Sequence, residues 1–216
     1  METGIAITRQ EAWTQREGPP VHIPDFMEEV VERVAFLARG DKRIDQRSGV
    51  SQRLPITLME TMVSSAERRT FLRGEQEVVP RISDIYAALP SITGKMELEY
   101  EGELHGSRKI AEELISAAAG ATFSHRAGGA EVEEIVAYFE GGGALQVSAD
   151  AAGPACMEAF RVVTGLWELV EWVGLTSSSQ SPGFRAAACE LVLEALVAER
   201  RISRTDAGYS RPPFEI

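Results

Sequence analysis

A long amphipathic helix is predicted by residues 51–74, SQRLPITLMETMVSSAERRTFLRG. Ser51 is a good N-cap, Pro55 lies near the start of the helix, where proline is tolerated, and Gly74 can end it. Between these signals, apolar residues recur at the three- and four-residue spacing of one helix face. This predicted buried stripe consists of Leu58, Met59, Met62, Val63 and Ala66.

Further helices are predicted on both sides of this one. They cover residues 24–39, 81–89, 107–124, 130–139, 155–164, 166–173 and 184–201. Residues 94–104 differ, because Met96, Leu98 and Tyr100 alternate with glutamates, which predicts at most a short β-hairpin there. Residues 144–147 are too few to decide between a strand and a loop. We therefore expect a mainly α fold, with a helical bundle over residues 1–105 and a helical extension over residues 106–216.

The composition narrows the class of protein. The chain has 216 residues, and its 33 acidic and 22 Lys and Arg side chains give a formal net charge of −11. This balance disfavours a coat for DNA or RNA, which needs clustered Lys and Arg. No apolar run reaches the roughly 20 residues of a membrane helix, and the first residues do not resemble a signal peptide. The chain has only two cysteines, Cys156 and Cys189, which is typical of a reducing cytoplasm. Taken together, these observations lead us to expect a cytoplasmic protein without membrane or nucleic-acid partners.

The sequence lacks most signatures of catalysis or metal binding. Its one Gly-Lys pair, Gly94–Lys95, has neither the upstream glycine nor the following hydroxyl of a phosphate-binding P-loop. His22, His105 and His125 are far apart and show no metal-ligand spacing. A small metalloenzyme or hydrolase is therefore the least favoured hypothesis. Both cysteines are predicted to be buried as small apolar groups.

One short segment is rich in arginine and leads into a predicted helix. Its sequence, RIDQRSGVSQR, spans residues 43–53 and gathers three arginines around a Ser-Gly-Val-Ser turn. Backbone amides at a helix start, together with guanidinium groups, bind anions and above all phosphate. The alternative is a solvated basic loop balanced by Asp41 and Asp45, and spacing alone favours that alternative.

Several runs of this sequence carry a resemblance to a known family. They are SGVSQR (48–53), LPITLMETMVSSAERR (54–69) and VVPRISDIYAALPSITGKMELEYEGE (78–103), with shorter matches at EAW (11–13), ELVLEAL (190–196) and RISR (201–204). These runs resemble the lid region of AAA+ ATPases, and most closely the bacterial magnesium-chelatase-like proteins related to the MoxR group. The resemblance is most specific over residues 45–100. It implies a small helical lid followed by a C-terminal helical extension.

The resemblance also implies roles for three residues. Arg53 corresponds to the sensor-2 arginine, which approaches the terminal phosphates of ATP and couples hydrolysis to lid movement. Ser51 completes the Ser-x-Arg pattern at the helix start, and Arg47 is a weaker candidate for a phosphate or intersubunit contact. A permanently charged guanidinium in this place stabilises the charge on a transferring phosphoryl group.

The motifs of the catalytic core, Walker A and Walker B, are not found in this sequence. The resemblance therefore implies that the chain is the C-terminal part of an ATPase whose core binds ATP and Mg²⁺, and that the chain alone binds neither and is inactive. Its implied partners are the nucleotide-binding core and neighbouring ring subunits, and a protein client is allowed. The competing hypothesis is a free-standing helical module that binds another protein.

Overall fold

The structure is a computed structural model that describes residues 1–45, 47, 50–174 and 181–212. Its helices are α1 (Glu2–Glu11), α2 (Asp25–Gly40), α3 (Leu54–Arg73), α4 (Ile82–Ala87), α5 (Leu89–Thr93), α6 (Tyr100–His105), α7 (Ser107–Ala127), α8 (Glu133–Glu140), α9 (Gly153–Phe160), α10 (Leu166–Trp172) and α11 (Pro182–Ala198). The predicted mainly α fold is confirmed. Among the described residues, no helix combines the length and the apolar character needed to cross a membrane.

Three short strands form a small antiparallel sheet late in the chain. They are β1 (Leu145–Gln146), β2 (Ser203–Thr205) and β3 (Gly208–Ser210), in the order β1-β3-β2. Tyr209 lies opposite Leu145 on one side and opposite Arg204 on the other. The segment 144–147, which the sequence left open, therefore contributes an edge strand, and the hairpin of the fold is β2–β3.

The hairpin predicted near residues 94–104 was placed wrongly. Leu98 makes only an isolated antiparallel bridge with Ile44, and the chain then enters α6. Gly102 permits this, because the absence of a side chain lets α6 lie directly against the carbonyl oxygen of Arg43. The alternation of apolar and acidic residues was too short to outweigh this contact, and Glu and Leu are also good helix formers.

Several helix boundaries also differ from the prediction, among them those of α3 and α4. α3 begins at Leu54 rather than just after Ser51, and the Ser51 hydroxyl accepts a hydrogen bond from the backbone N–H of Arg53 at 3.2 Å. The predicted helix over residues 81–89 continues past Ala88 into a separate short helix, α5. The chain also starts with α1, which the sequence analysis did not predict.

The core is continuous between the two parts of the chain. α7 packs against α2 and α11, and α11 in turn contacts α4 and α9. Buried residues on both sides of residue 105 belong to one apolar cluster, for example Val30 and Val34 of α2, Leu114 of α7 and Leu191 of α11. The division into residues 1–105 and 106–216 stays a prediction, and in the structure the two parts share this core.

Candidate functional site

The start of α3 holds Arg53 at the surface of a well-buried helix. Leu54, Leu58 and Met62 on the inner face of α3 are fully buried in the shared core. Arg53 occupies the N-cap position of the helix, and its side chain is exposed. Within the described part of the chain, its guanidinium has no hydrogen bond or ion pair. The fold therefore fixes the backbone of Arg53 and leaves its charge available.

Arg43, the first arginine of the predicted anion-binding segment, is already used by the fold. Its guanidinium donates to Asp41 Oδ2 at 2.7 Å and to Glu113 Oε2 at 2.5 Å. These hydrogen bonds to two carboxylates raise the pKa of Arg43 above its usual range. Arg43 therefore ties the loop before α3 to α7 and is not available for a ligand.

Arg47 lies between these two arginines and is exposed. Its backbone N–H donates to Asp45 Oδ1 at 2.7 Å, so Asp45 shapes the loop. The side chain of Arg47 has no carboxylate partner among the described residues. Ser48 and Gly49 of the predicted Ser-Gly-Val-Ser turn lie outside the residues that the structure describes.

Other cations without a carboxylate partner lie next to Arg53. Arg39 donates from Nη2 to Gln52 Oε1 at 3.3 Å, and the backbone N–H of Ser51 donates to the carbonyl oxygen of Lys95 at 3.4 Å. These contacts bring the ends of α2 and α5 to the start of α3. Together with Lys42 and Arg47, exposed cations of the chain between α2 and α3, these residues form what we call the cation surface: Arg39, Lys42, Arg47, Arg53 and Lys95.

The cation surface stands out because other arginines of this acidic chain are held in ion pairs. Arg9, Arg16 and Arg126 are examples, each bound to a glutamate. Arg73, Lys109 and Arg200 also lack a carboxylate partner among the described residues, and Lys109 and Arg200 line one groove beside α7. Arg47 and Arg53 are predicted from the sequence, whereas Arg39 and Lys95 are not. Lys95 carries no sequence signal beyond the rejected P-loop, because its proximity to Ser51 depends on tertiary structure.

A second polar cluster lies in the core, between α4 and α11. The carboxylate of Glu190 accepts hydrogen bonds from the backbone N–H of Ser83 at 2.8 Å and from its hydroxyl at 3.2 Å. Arg81 Nε lies 3.4 Å from Glu190 Oε1. Glu190 and Arg81 are both 1% exposed. This arrangement satisfies the first turn of α4, and Glu190 therefore serves the fold.

One helical turn after Glu190, Glu194 extends the polar cluster between α4 and α11. It accepts hydrogen bonds from the Tyr86 hydroxyl at 2.7 Å and from Arg204 Nη1 at 2.7 Å. Burial raises the pKa of Tyr86 above its usual range, so its hydroxyl stays a donor. The sequence analysis did not predict this polar cluster, although two glutamates four residues apart in the apolar run ELVLEAL indicate buried charges that need partners.

The histidines are placed apart from one another. His22 lies near the Phe184 ring, His105 contacts the carbonyl oxygen of Glu101, and His125 contacts Glu29 Oε1 at 2.8 Å. Among the described residues, no group of three or more His, Cys, Asp or Glu is arranged to hold a metal ion. Both cysteines are free and buried, as predicted, and burial raises the pKa of each thiol.

Two larger hollows open at other places on the surface. A groove of about 1190 Å³ runs between α7 and the β2–β3 hairpin, and a cavity of about 560 Å³ lies beside the starts of α9 and α11. In the cavity, Arg69 and Arg81 are bound to protein groups, and Glu75 accepts the backbone N–H of Gly153 at 2.8 Å. These polar groups serve the fold, so the cation surface is a better candidate for an anion than this cavity.

No family model, no curated protein and no solved structure matches the chain.

Proposed function

We propose that this chain forms the lid and C-terminal region of a magnesium-chelatase-like AAA+ ATPase. In this proposal, Arg53 contacts the terminal phosphates of ATP that is held by a nucleotide-binding core outside this sequence. The observation that carries the proposal concerns Arg53. It is exposed and has no ion pair among the described residues, and it lies directly before α3, whose inner face is buried in the core. The role of Arg53 in phosphate contact is assigned from the resemblance over residues 45–100.

The surroundings of Arg53 support phosphate contact. The positive end of the α3 dipole adds to the guanidinium charge, and the remaining members of the cation surface supply further positive charge close by. Because its backbone is fixed by buried neighbours such as Leu54, Arg53 loses little freedom when it meets a phosphate oxygen. Ser51 contributes indirectly, since its hydroxyl accepts the N–H of Arg53 and so holds the helix start. Mg²⁺ would be bound with ATP by the core.

Polar contacts join residues 1–105 to residues 106–216, and they support a lid that moves together with the C-terminal helices. Arg43 connects the loop before α3 to Glu113 of α7, and Glu190 of α11 holds the first turn of α4. A displacement of Arg53 on nucleotide hydrolysis would therefore be passed to α7 and α11. In this proposal the C-terminal helices carry the movement towards partners in the ring.

The test uses a protein that contains both the core and this chain. We expect Arg53→Ala to lower ATP turnover by about 100-fold, the usual cost of removing one group that stabilises transition-state charge. Arg161→Ala is the matched control, because Arg161 is also exposed and, among the described residues, pairs with Glu158 alone. The unfolding midpoint of Arg53→Ala should equal that of wild type, since the side chain is exposed. Unchanged turnover in a folded Arg53→Ala protein would remove Arg53 from this role.

A free-standing protein-interaction module is the second candidate. It is favoured by large apolar side chains that stay exposed, among them Trp13 at 68%, Tyr100 at 74% and Leu104 at 72%. A pull-down with this chain as bait separates the two candidates. A stable, stoichiometric partner other than an ATPase core would favour the second.

A further inference from the structure

The short helix α6 presents two large apolar side chains to solvent. Tyr100 and Leu104 are four residues apart, so they lie on one face of the helix. Tyr100 is 74% exposed and Leu104 is 72% exposed. A six-residue helix that turns its two bulkiest apolar groups outward gains nothing from them in the folded chain.

The position of α6 is nevertheless fixed by its opposite face. Gly102 is buried, and a Cβ atom there would lie 2.3 Å from the carbonyl oxygen of Arg43. The N–H of Glu99 donates to the same carbonyl at 2.9 Å, and the N–H of Asp45 donates to the carbonyl of Glu97 at 2.9 Å. α6 is therefore fixed through its buried face to the loop after α2, which carries Lys42 and Arg47 of the cation surface.

The charges around Tyr100 and Leu104 are of one sign. The exposed glutamates at this place are Glu97, Glu99, Glu101 and Glu103. Within the described residues, none of them has a cation in ion-pair distance. We call these four glutamates together with Tyr100 and Leu104 the α6 face. Its chemistry fits a surface that offers positive charge around an apolar contact.

Such positive charge exists on the chain itself. Lys42 and Arg47 are exposed, belong to the loop on which α6 rests, and have no carboxylate partner among the described residues. Two neighbouring patches of opposite sign complement each other when two copies meet about a two-fold axis, because each acidic patch then faces the other copy's cations. The two α6 helices would at the same time cover each other's apolar side chains.

We propose that the α6 face is a contact between two copies of this chain, with its glutamates opposite Lys42 and Arg47 of the second copy. Tyr100 and Leu104 supply the apolar centre of the contact, and the charges set its orientation. The contact does not involve Arg53, but it uses Lys42 and Arg47, which also belong to the cation surface.

Sedimentation equilibrium of the 216-residue chain over a wide concentration range is the first test. We expect a monomer–dimer equilibrium that weakens at about 1 M salt, where screening acts within about 3 Å. Tyr100→Ser with Leu104→Ser should weaken the dimer by about tenfold or more, as expected for residues at the centre of an interface. The control is Phe71→Ser with Leu72→Ser, two side chains equally exposed at 64% on α3.

A charge exchange then tests the pairing. Glu101→Lys with Glu103→Lys should abolish self-association, and so should Lys42→Glu with Arg47→Glu. A mixture of these two variants should associate again, because each acidic patch regains a basic one. A monomeric wild-type chain at all concentrations would overturn the proposal, as would a dimer insensitive to Tyr100→Ser with Leu104→Ser or a mixture that stays monomeric. Circular dichroism of each variant verifies that it is folded.

Discussion

Arg69 and Asp84 form a buried ion pair that joins α3 to α4, and its removal should be costly. Arg69 is 3% exposed and Asp84 is 2% exposed. Arg69 Nη1 lies 2.7 Å from Asp84 Oδ1 and 2.6 Å from Oδ2, while Nη2 donates to the carbonyl of Val79 at 2.7 Å. Arg69→Met keeps most of the side-chain volume and removes all three hydrogen bonds. The carboxylate of Asp84 then keeps only the Ser65 hydroxyl and the N–H of Arg81 as donors.

The expected loss follows from the charge that stays behind. Breaking a buried ion pair by removing one partner costs about 3–5 kcal/mol, because the remaining carboxylate stays desolvated and has lost its ion-pair partner. A total stability of roughly 5–15 kcal/mol for a domain makes this a large fraction. Urea unfolding followed by circular dichroism measures it as a lower midpoint at unchanged slope.

A matched variant and a double mutant make the measurement specific. Arg161→Met breaks the exposed pair with Glu158, in which the two side chains are 61% and 72% exposed, and should cost at most about 1 kcal/mol. Adding Asp84→Asn to Arg69→Met should recover part of the loss, since the buried charge is then gone. A loss below about 1 kcal/mol for Arg69→Met, equal to that of Arg161→Met, would refute the reasoning.

Two further predictions concern other buried contacts. Burial would raise the pKa of Glu29, but hydrogen bonds from Arg33 and Arg126 outweigh it and hold the pKa below the ordinary value of 4.5. Ionised Glu29 thus adds stability above about pH 4.5, and this stability is lost as the pH falls through its lowered pKa. Glu29→Gln should therefore cost about 1–3 kcal/mol of unfolding free energy at pH 7 and progressively less in acid. Urea unfolding at a series of pH values measures this. Gly102→Ala should destabilise the chain by about 1–3 kcal/mol in the same assay, because its Cβ would collide with a backbone carbonyl. Gly40→Ala, with no atom within 4 Å of the added Cβ, should be neutral or slightly stabilising, and equal effects for the two glycines would contradict this packing.

The helices with a clear apolar period were predictable from sequence. α2, α3, α7 and α11 carry long stripes with proline or glycine signals at their ends, and these local signals agree with the tertiary packing. The segment 94–104 was mispredicted because its structure depends on a distant contact between Gly102 and the carbonyl of Arg43. A two-residue period over so few positions cannot reveal such a contact.

The candidate site was predictable only in part, for the same reason. Arg47 and Arg53 are close in sequence, so their shared place on the surface was visible. The withdrawal of Arg43 into an ion pair depends on Glu113, seventy residues further along the chain. The addition of Lys95 depends on a backbone hydrogen bond from Ser51. Which arginines are free is thus decided by long-range partners, which a single sequence does not show.

The most direct test of the central claim is a structure of the core-containing protein with a non-hydrolysable ATP analogue. The account predicts a terminal guanidinium nitrogen of Arg53 within about 3 Å of a γ-phosphate oxygen, the distance of a charge-assisted hydrogen bond. A closed, nucleotide-bound structure in which Arg53 faces solvent, with no phosphate oxygen in hydrogen-bond distance, would contradict it.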